Sequence, residues 1–387
     1  MTRVLITVGH YLPGYQAGGP VRSIANLVEQ LGDEFEFYIV TRDREFGSTQ
    51  PYSNIKVNQW QPVGKAQVRY LSPMASNVWN WQAIFRSVDY DTLYLNSFFA
   101  RWTLLGLVLK RARWLTPRKV VLAPRGEFSS GAIKFKSQRK RGYLRLQNRL
   151  GLCRSVVWHA TSDSEVEDIR REVPPASWQN TTIHVADNLV ALPKQVQGLA
   201  FTRCKQQGEL RVVFLSRVAP KKNLDFALSS LRNVHGSVQF DIYGPIEDRA
   251  YWETCLKIMA TMPQNVCVEY KGAVLPDEVA QVLSQSHLFL LPTQGENFGH
   301  AIYEALATGC PLLISDQTPW RDLQAHQVGW DLPLEDPAAF SAAMNECVAW
   351  DQMQFDNFSR GANQYADEFV NLQSAALKNY RAMFRAD

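Results

Sequence analysis

Short apolar runs alternate with stretches of helical periodicity along the whole chain. Val4 to Val8 reads as a first strand, and residues 21–31 then place Val21, Ile24, Leu27, Val28 and Leu31 on one helix face. Further apolar runs at Phe35–Val40, Thr92–Leu95, Lys119–Ala123 and Val156–Ala160 predict strands. Ser162 with Glu165 has the spacing of a capping box and starts a helix over 163–173. Buried strands separated by helices predict a parallel sheet covered on both faces.

The rhythm pauses between Asn188 and Gly208, where Pro193 and several glutamines interrupt it, and this stretch reads as an interdomain linker. Strands follow at Arg211–Leu215, Val238–Tyr243, Val266–Tyr270, Leu288–Leu291 and Pro311–Ile314. Helices are predicted near 224–233, 249–262, 277–286, 299–308 and 337–350, the last opened by Asp336 as a cap and Pro337 in its first turn. Residues 355–385 are helical in pattern. The expectation is an α/β chain of two doubly wound, Rossmann-like domains facing a central cleft, with ligands at the carboxyl ends of the strands. A length of 387 residues, 46% of them apolar, suits two domains that each bury a core.

Charge and cysteine usage narrow the function classes. A net charge of +4 does not suggest a nucleic-acid binder. The six cysteines form no C-x-x-C pair and no zinc spacing, so they read as reduced thiols, which fits a cytoplasmic setting. The run Trp102–Leu109 falls far short of the ~20 residues that cross a bilayer, so membrane contact is expected only at the periphery.

The chemistry concentrates in the second half. The strand 288–291 leads through Gly295, Glu296, Asn297, Phe298 and Gly299 into a helix that Gly309 stops. A strand, a glycine-bearing loop and a helix N-terminus attract anions such as phosphate. Glu304 lies five residues into that helix, about 7 Å along its axis, where a carboxylate can hold vicinal hydroxyls. The bland reading, Glu296 as a cap and Glu304 as a solvated residue, stays open on these residues alone. Arg217 and Lys222 follow the strand 211–215 on one short loop, with Asn223 expected to cap the next helix. Two cations there can neutralise a departing diphosphate, although a surface role is the alternative.

In the first half, Gly18 and Gly19 precede a helix, and no G-x-G-x-x-G follows the first strand, which argues against a dinucleotide dehydrogenase. Arg125 follows the strand 119–123 and is a candidate contact for donor or acceptor, with a structural ion pair as the equal alternative. Residues 101–150 hold fourteen Lys or Arg and one acid, Glu127. Within them Lys134, Lys136, Arg139, Lys140, Arg141, Arg145 and Arg149 are interleaved with Ile133, Phe135, Tyr143, Leu144 and Leu146, in the manner of a basic segment lying on an anionic membrane. A solvated basic face is the alternative.

The run from Glu296 to Pro311, with Glu296 and Glu304 seven residues between them, resembles the E-x7-E signature of family 4 GT-B retaining glycosyltransferases, the glycosyl transferases group 1. Arg217 and Lys222 match that family's diphosphate loop, and Asp241–Pro245, Lys271–Val274 and Ser315–Trp320 fall in family order. The resemblance is strong over roughly residues 210–335 and loose before them. It implies a GT-B fold, with an acceptor-side domain over 1–190, a donor domain over 191–367 and a helix near 368–387 crossing back. It implies that Arg217 and Lys222 bind the donor diphosphate, Glu296 the sugar hydroxyls and Glu304 the ribose. The backbone at Val274 would meet the nucleobase, and Asn297, Phe298, Gly299, Gly18 and Gly19 would complete the donor site. No metal and no cofactor are implied. The expected reaction is retaining transfer of a hexosyl-type sugar, from a UDP-sugar ahead of a GDP-sugar, to a saccharide acceptor on a lipid carrier. Capsule or lipopolysaccharide assembly on the inner face of the cytoplasmic membrane is the expected setting. The alternative is a non-catalytic nucleotide-sugar-binding or scaffold protein of the same fold.

Overall fold

The computed structural model describes residues 1–129, 137–173, 181–191 and 203–385. It divides into two compact units, Met1–Leu189 with Gln373–Asp387, and Val190–Leu372.

Unit 1 contains β1 (Thr2–Thr7), α1 (Gly19–Leu31), β2 (Phe35–Arg42), β3 (Trp60–Val63), β4 (Ala66–Leu71), α2 (Val78–Phe85), β5 (Thr92–Asn96), α3 (Arg101–Arg111), β6 (Lys119–Ala123), α4 (Ser137–Leu150), β7 (Val157–Ala160), α5 (Asp163–Glu172) and β8 (Ile183–Val185). The strands form one 8-stranded sheet in the order β3-β4-β2-β1-β5-β6-β7-β8. Val4 of the central β1 lies opposite Phe37 of β2 on one side and Thr92 of β5 on the other. Every residue of β5 is buried, as a strand covered on both faces requires. The predicted apolar face of α1 is buried residue for residue. The β3–β4 pair is antiparallel and was not expected from the sequence. Pro62 has no N–H to give to a ladder, which suits β3 to the sheet edge it occupies.

Unit 2 contains β9 (Glu209–Leu215), a 3-10 turn (Pro220–Lys222), α6 (Leu224–Leu231), β10 (Ser237–Tyr243), α7 (Arg249–Met259), β11 (Val266–Gly272), α8 (Val279–Ser284), β12 (Leu288–Leu291), α9 (His300–Ala307), β13 (Leu312–Ser315), β14 (Gly329–Leu332) and α10 (Pro337–Ala349). Its strands form a 6-stranded parallel sheet in the order β11-β10-β9-β12-β13-β14. All of β12 and β13 is buried, whereas β11 at the edge alternates exposed residues with buried or half-buried ones. The Asp336 side chain caps α10 by accepting from the Ala339 N–H, as its position before Pro337 predicts.

The last helix, α11 (Gln352–Phe384), has 33 residues and is about 50 Å long. It starts in unit 2, and from Gln373 onward it belongs to unit 1. There the Phe384 ring packs edge-on against Phe35, Phe37 and Tyr94, and Thr92 Oγ1 donates to the Phe384 carbonyl at 3.0 Å. No helix among the described residues is long and apolar enough to cross a membrane.

Two sequence expectations change in detail. Within the expected linker, residues 192–202 lie outside the described residues, and two cations just after them are buried. Arg203 and Lys205 are 6% and 3% exposed. Arg203 donates to the carbonyls of Ser284, Thr308 and Gly309, and Lys205 to those of Gln206, Val348 and Trp350. Buried cations on helix C-terminal carbonyls satisfy groups that would otherwise lack partners. At α5, the Ser162 side chain accepts from the Glu165 N–H, but the Glu165 carboxylate does not return to Ser162. It accepts instead from the Thr161 N–H and hydroxyl and from the Gly126 N–H, joining two strand-end loops. All six cysteines are free, with Cys153, Cys255, Cys310 and Cys347 buried.

Candidate functional site

In unit 2 the predicted donor residues gather at the carboxyl ends of β9, β11, β12 and β13, where an open α/β sheet presents its loops. After β9 the backbone passes close to the loop after β10. A Cβ on Gly244 would lie 1.9 Å from the Ser216 carbonyl oxygen, so only glycine allows this approach. Val218 N–H donates to the Pro245 carbonyl at 2.9 Å and locks the two loops together. Arg217 emerges there and donates from Nη1 to Glu247 Oε2 at 2.8 Å, both side chains being about one-third exposed. Glu247 carries no sequence signal that pairs it with Arg217.

The chain then makes the 3-10 turn that ends in Lys222. Asn223 follows with φ 61° and ψ 41° and makes no side-chain cap. The expected cap is therefore replaced by a left-handed backbone position, which asparagine tolerates better than most residues. This turn is held against the loop after β12, since Gln294 N–H and Thr293 Oγ1 both donate to the Lys221 carbonyl, at 2.8 and 3.1 Å.

The result is a direct ion pair between Lys222 Nζ and the Glu296 carboxylate. The two side chains are only 12% and 14% exposed. Glu296 is thus a partner of Lys222 rather than a helix cap. The N-cap of α9 is Gly299, at φ 84° and ψ 65°, with no side chain to fill the position. Backbone N–H groups at such an end, with the helix dipole, favour an anion. Asn297 and Glu304 are half-buried, and Phe298 is buried. The loop after β13 holds this segment from behind: Glu296 N–H donates to the Gln317 carbonyl at 3.0 Å, and Trp320 Nε1–H to the Phe298 carbonyl at 2.5 Å. Val274 is half-buried in the loop that leaves β11 through Gly272 at φ 81°.

The residues predicted in unit 1 have their own surroundings. Gly18 is the N-cap of α1 at φ 76° and ψ −136°, a conformation that favours glycine, and Gly19 opens the helix. Arg125 makes three donations inside unit 1: Nε to Asn96 Oδ1 at 3.0 Å, Nη1 to Asn188 Oδ1 at 2.5 Å and Nη2 to the Tyr94 hydroxyl at 2.7 Å. The same hydroxyl is 2.7 Å from His159 Nδ1. Burial first, then the Arg125 charge, pull His159 down to about 3, so it is neutral. His10 ends the segment after β1 and lies 3.2 Å from the Arg44 carbonyl; burial and the nearby Arg42 lower its pKa.

The basic segment is α4 over its described part; Ile133, Lys134, Phe135 and Lys136 lie outside the described residues. Arg139, Arg141, Arg145 and Arg149 are exposed, with Leu146 and Leu150 about half exposed among them. Tyr143 and Leu144, counted in the sequence among residues for a membrane, turn inward. Leu144 joins the unit 1 core, and the Tyr143 hydroxyl donates to the Phe98 carbonyl at 3.2 Å. Lys140 lies over the Phe99 ring, 5.0 Å from its centroid.

Residues 209–349 match the family described as "Glycosyl transferases group 1". The matched residues lie within unit 2. Similarity to named relatives covers part of the chain. A GDP-mannose-dependent alpha-mannosyltransferase of Mycobacterium tuberculosis (strain CDC 1551 / Oshkosh) is 32% identical over 133 residues, 34% of this chain and 32% of the relative. The amylovoran biosynthesis glycosyltransferase AmsK of Erwinia amylovora is 28% identical over 145 residues, 35% of each chain. The chain thus aligns with about a third of the length of these relatives. Fold similarity extends further. Sucrose-phosphate synthase from Thermosynechococcus elongatus superposes with a TM-score of 0.74 at 16% identity, covering 100% of both chains. Anabaena HepE, solved with UDP and glucose, gives 0.67 at 14% identity over 99% of this chain and 100% of that one. WaaG, described as a glycosyltransferase involved in lipopolysaccharide biosynthesis, gives 0.66 at 13% identity over 97% and 98%. The fold is GT-B.

Proposed function

We propose that the protein is a retaining glycosyltransferase that moves a sugar from a nucleotide-sugar donor to a saccharide acceptor without a metal ion. The observation that carries this reading is the shielded Lys222–Glu296 pair beside the glycine-capped N-terminus of α9. In this reading Lys222 and Arg217 take the diphosphate oxygens, and the α9 N–H groups share their charge. Negative charge that grows on the departing diphosphate then meets preorganised cations, which is the electrostatic help a glycosyl leaving group needs. Freed from Lys222, the Glu296 carboxylate accepts hydrogen bonds from sugar hydroxyls at the reacting ring, and Glu304 accepts from the ribose. The loop at Val274 receives the base.

The donor is a UDP-sugar ahead of a GDP-sugar, a preference supported by the UDP in the HepE structure, while the mannosyltransferase relative is named for GDP-mannose. The acceptor is a lipid-linked saccharide of surface polysaccharide assembly, such as capsule or lipopolysaccharide. The amylovoran and lipopolysaccharide enzymes among the relatives support this setting, as does the exposed basic face of α4, which suits peripheral contact with an anionic cytoplasmic membrane.

The test is a panel of UDP- and GDP-sugars, read first by thermal shift and then by release of nucleoside diphosphate. One donor should raise the melting temperature and be slowly hydrolysed, and turnover should persist in EDTA. Binding without any hydrolysis or transfer would favour a non-catalytic sugar-nucleotide binder. Loss of turnover in EDTA, with recovery on manganese or magnesium, would refute the metal-free mechanism.

A further inference from the structure

Trp320 is 3% exposed, and its indole N–H donates to the Phe298 carbonyl at 2.5 Å. Its own loop is braced: its N–H returns to Thr318 Oγ1 at 3.2 Å, and Arg321 donates to the Asp316 carbonyl. The Trp320 ring packs edge-on against Phe298, with centroids 5.5 Å apart, and lies 4.9 Å from Phe369 of α11. A second tie from the same loop, Gln317 carbonyl to Glu296 N–H at 3.0 Å, fixes the other end of the segment.

The consequence runs through the peptide bond. A trans peptide is planar, with its C=O and N–H pointing in opposite directions. Trp320 holds the Phe298 carbonyl on its own side, so the Gly299 N–H must point the other way. Gly299 is the N-cap of α9, and its left-handed backbone could otherwise turn freely because it has no side chain. The carbonyl of Gly299 is engaged separately, accepting from Ile302 and Tyr303 N–H at 2.9 and 3.2 Å.

We propose that Trp320 is a positioning residue for the donor diphosphate: its N–H orients the Phe298–Gly299 peptide so that the Gly299 N–H is presented to a phosphate oxygen. This rests on the reading of unit 2 as a nucleotide-sugar site. It requires no contact between Trp320 and the ligand.

The test measures binding of UDP, GDP, uridine and guanosine to the full chain by calorimetry, for wild type, Trp320→Phe and Phe369→Leu. Trp320→Phe keeps an aromatic ring and removes the donor. It should weaken the diphosphate that the wild type prefers by about tenfold, the scale of one lost polar contact, and leave the matching nucleoside unchanged. Phe369→Leu removes ring packing but keeps the N–H, so it should lower the melting temperature and leave the diphosphate-to-nucleoside ratio at the wild-type value. Should Trp320→Phe fold poorly, β-(3-benzothienyl)alanine at position 320 keeps the bicyclic shape and replaces the N–H by sulfur, with the same expected loss. Equal loss of nucleoside and diphosphate, no loss of either, or the same selective loss in Phe369→Leu would overturn the proposal. A wild type that binds neither diphosphate would instead sink the donor-site reading on which it stands.

Discussion

Removing Lys222 should expose how much of the site is assembled before any ligand arrives. In Lys222→Met the Glu296 carboxylate keeps its shielded position, about one-seventh exposed, and loses its cation. Breaking a fully buried pair costs about 3–5 kcal/mol because a charge is left unpaired. Residual access of water to both side chains reduces that to roughly 2–3 kcal/mol here. For a unit of this size, roughly 2–4 °C are lost per kcal/mol, so the unit 2 transition should fall by roughly 4–12 °C. Glu296→Gln should cost about 1 kcal/mol, since the lysine left behind can extend its ammonium into water. The double variant Lys222→Met/Glu296→Gln contains no orphaned charge and should recover to within about 1 kcal/mol of wild type, a coupling near 2 kcal/mol. The assay is calorimetric unfolding of the four proteins, with donor hydrolysis alongside. All three variants should lose about 100-fold or more in turnover, because a group that stabilises the leaving charge or holds the sugar is missing in each. Stabilities that add to within about 0.5 kcal/mol would show that the pair is not formed in solution, and the reasoning would fail.

Glu304→Gln should weaken UDP or GDP and the intact nucleotide sugar alike, whereas Glu296→Gln should change nucleotide affinity little and cut turnover strongly; matching profiles by calorimetry and kinetics would refute the division of roles. Charge reversal of Arg139, Arg141 and Arg145 to Glu should abolish sedimentation with anionic liposomes at low salt and leave donor binding intact, each cation near such a surface contributing roughly 1 kcal/mol. A native protein that ignores those liposomes would make α4 a solvated face only. Burial holds both His159 and His287 near a pKa of about 3, with arginine charges adding to the effect. Unfolded histidine protonates near about 6.5, so the native state binds fewer protons, and stability present above that pH is lost as pH falls toward about 3. The urea midpoint should therefore be lower at about pH 5.5 than at about pH 7.5, and equal midpoints would contradict the buried neutral state.

What the sequence disclosed and what it hid follow from the reach of each signal. The β12–loop–α9 segment was legible because its information is local: four apolar residues, two glycines and a helix that Gly309 ends at φ 67°. The same holds for α1, whose five apolar positions repeat at helical spacing. The Lys222–Glu296 contact spans 74 residues, and the Trp320–Phe298 contact spans 22. No periodicity records such pairs; they exist because β9, β12 and β13 are neighbours in the sheet. Asn223 misled through its chemistry, since asparagine suits both a helix cap and a left-handed turn, and the backbone took the second. The edge hairpin β3–β4 was missed because Pro62 and polar neighbours blur its alternation. Arg203 and Lys205 look like linker cations in sequence, and only the helix ends around them explain their burial.

The final helix also dictates an order of events during synthesis. Unit 2 is one continuous stretch, Val190–Leu372, and can close as soon as that stretch is free. Unit 1 is split, and Tyr380, Met383 and Phe384 lie in its core with almost no exposure. The strands of unit 1, translated before unit 2, therefore wait with the surface around Phe35, Phe37 and Tyr94 uncovered until all of unit 2 has been translated. Domains usually finish from the N-terminus onward; here the half made first is the half completed last. A nascent chain arrested anywhere before Gln373 would present that apolar surface to chaperones, and a truncation that spares every donor-site residue would still deprive unit 1 of part of its core.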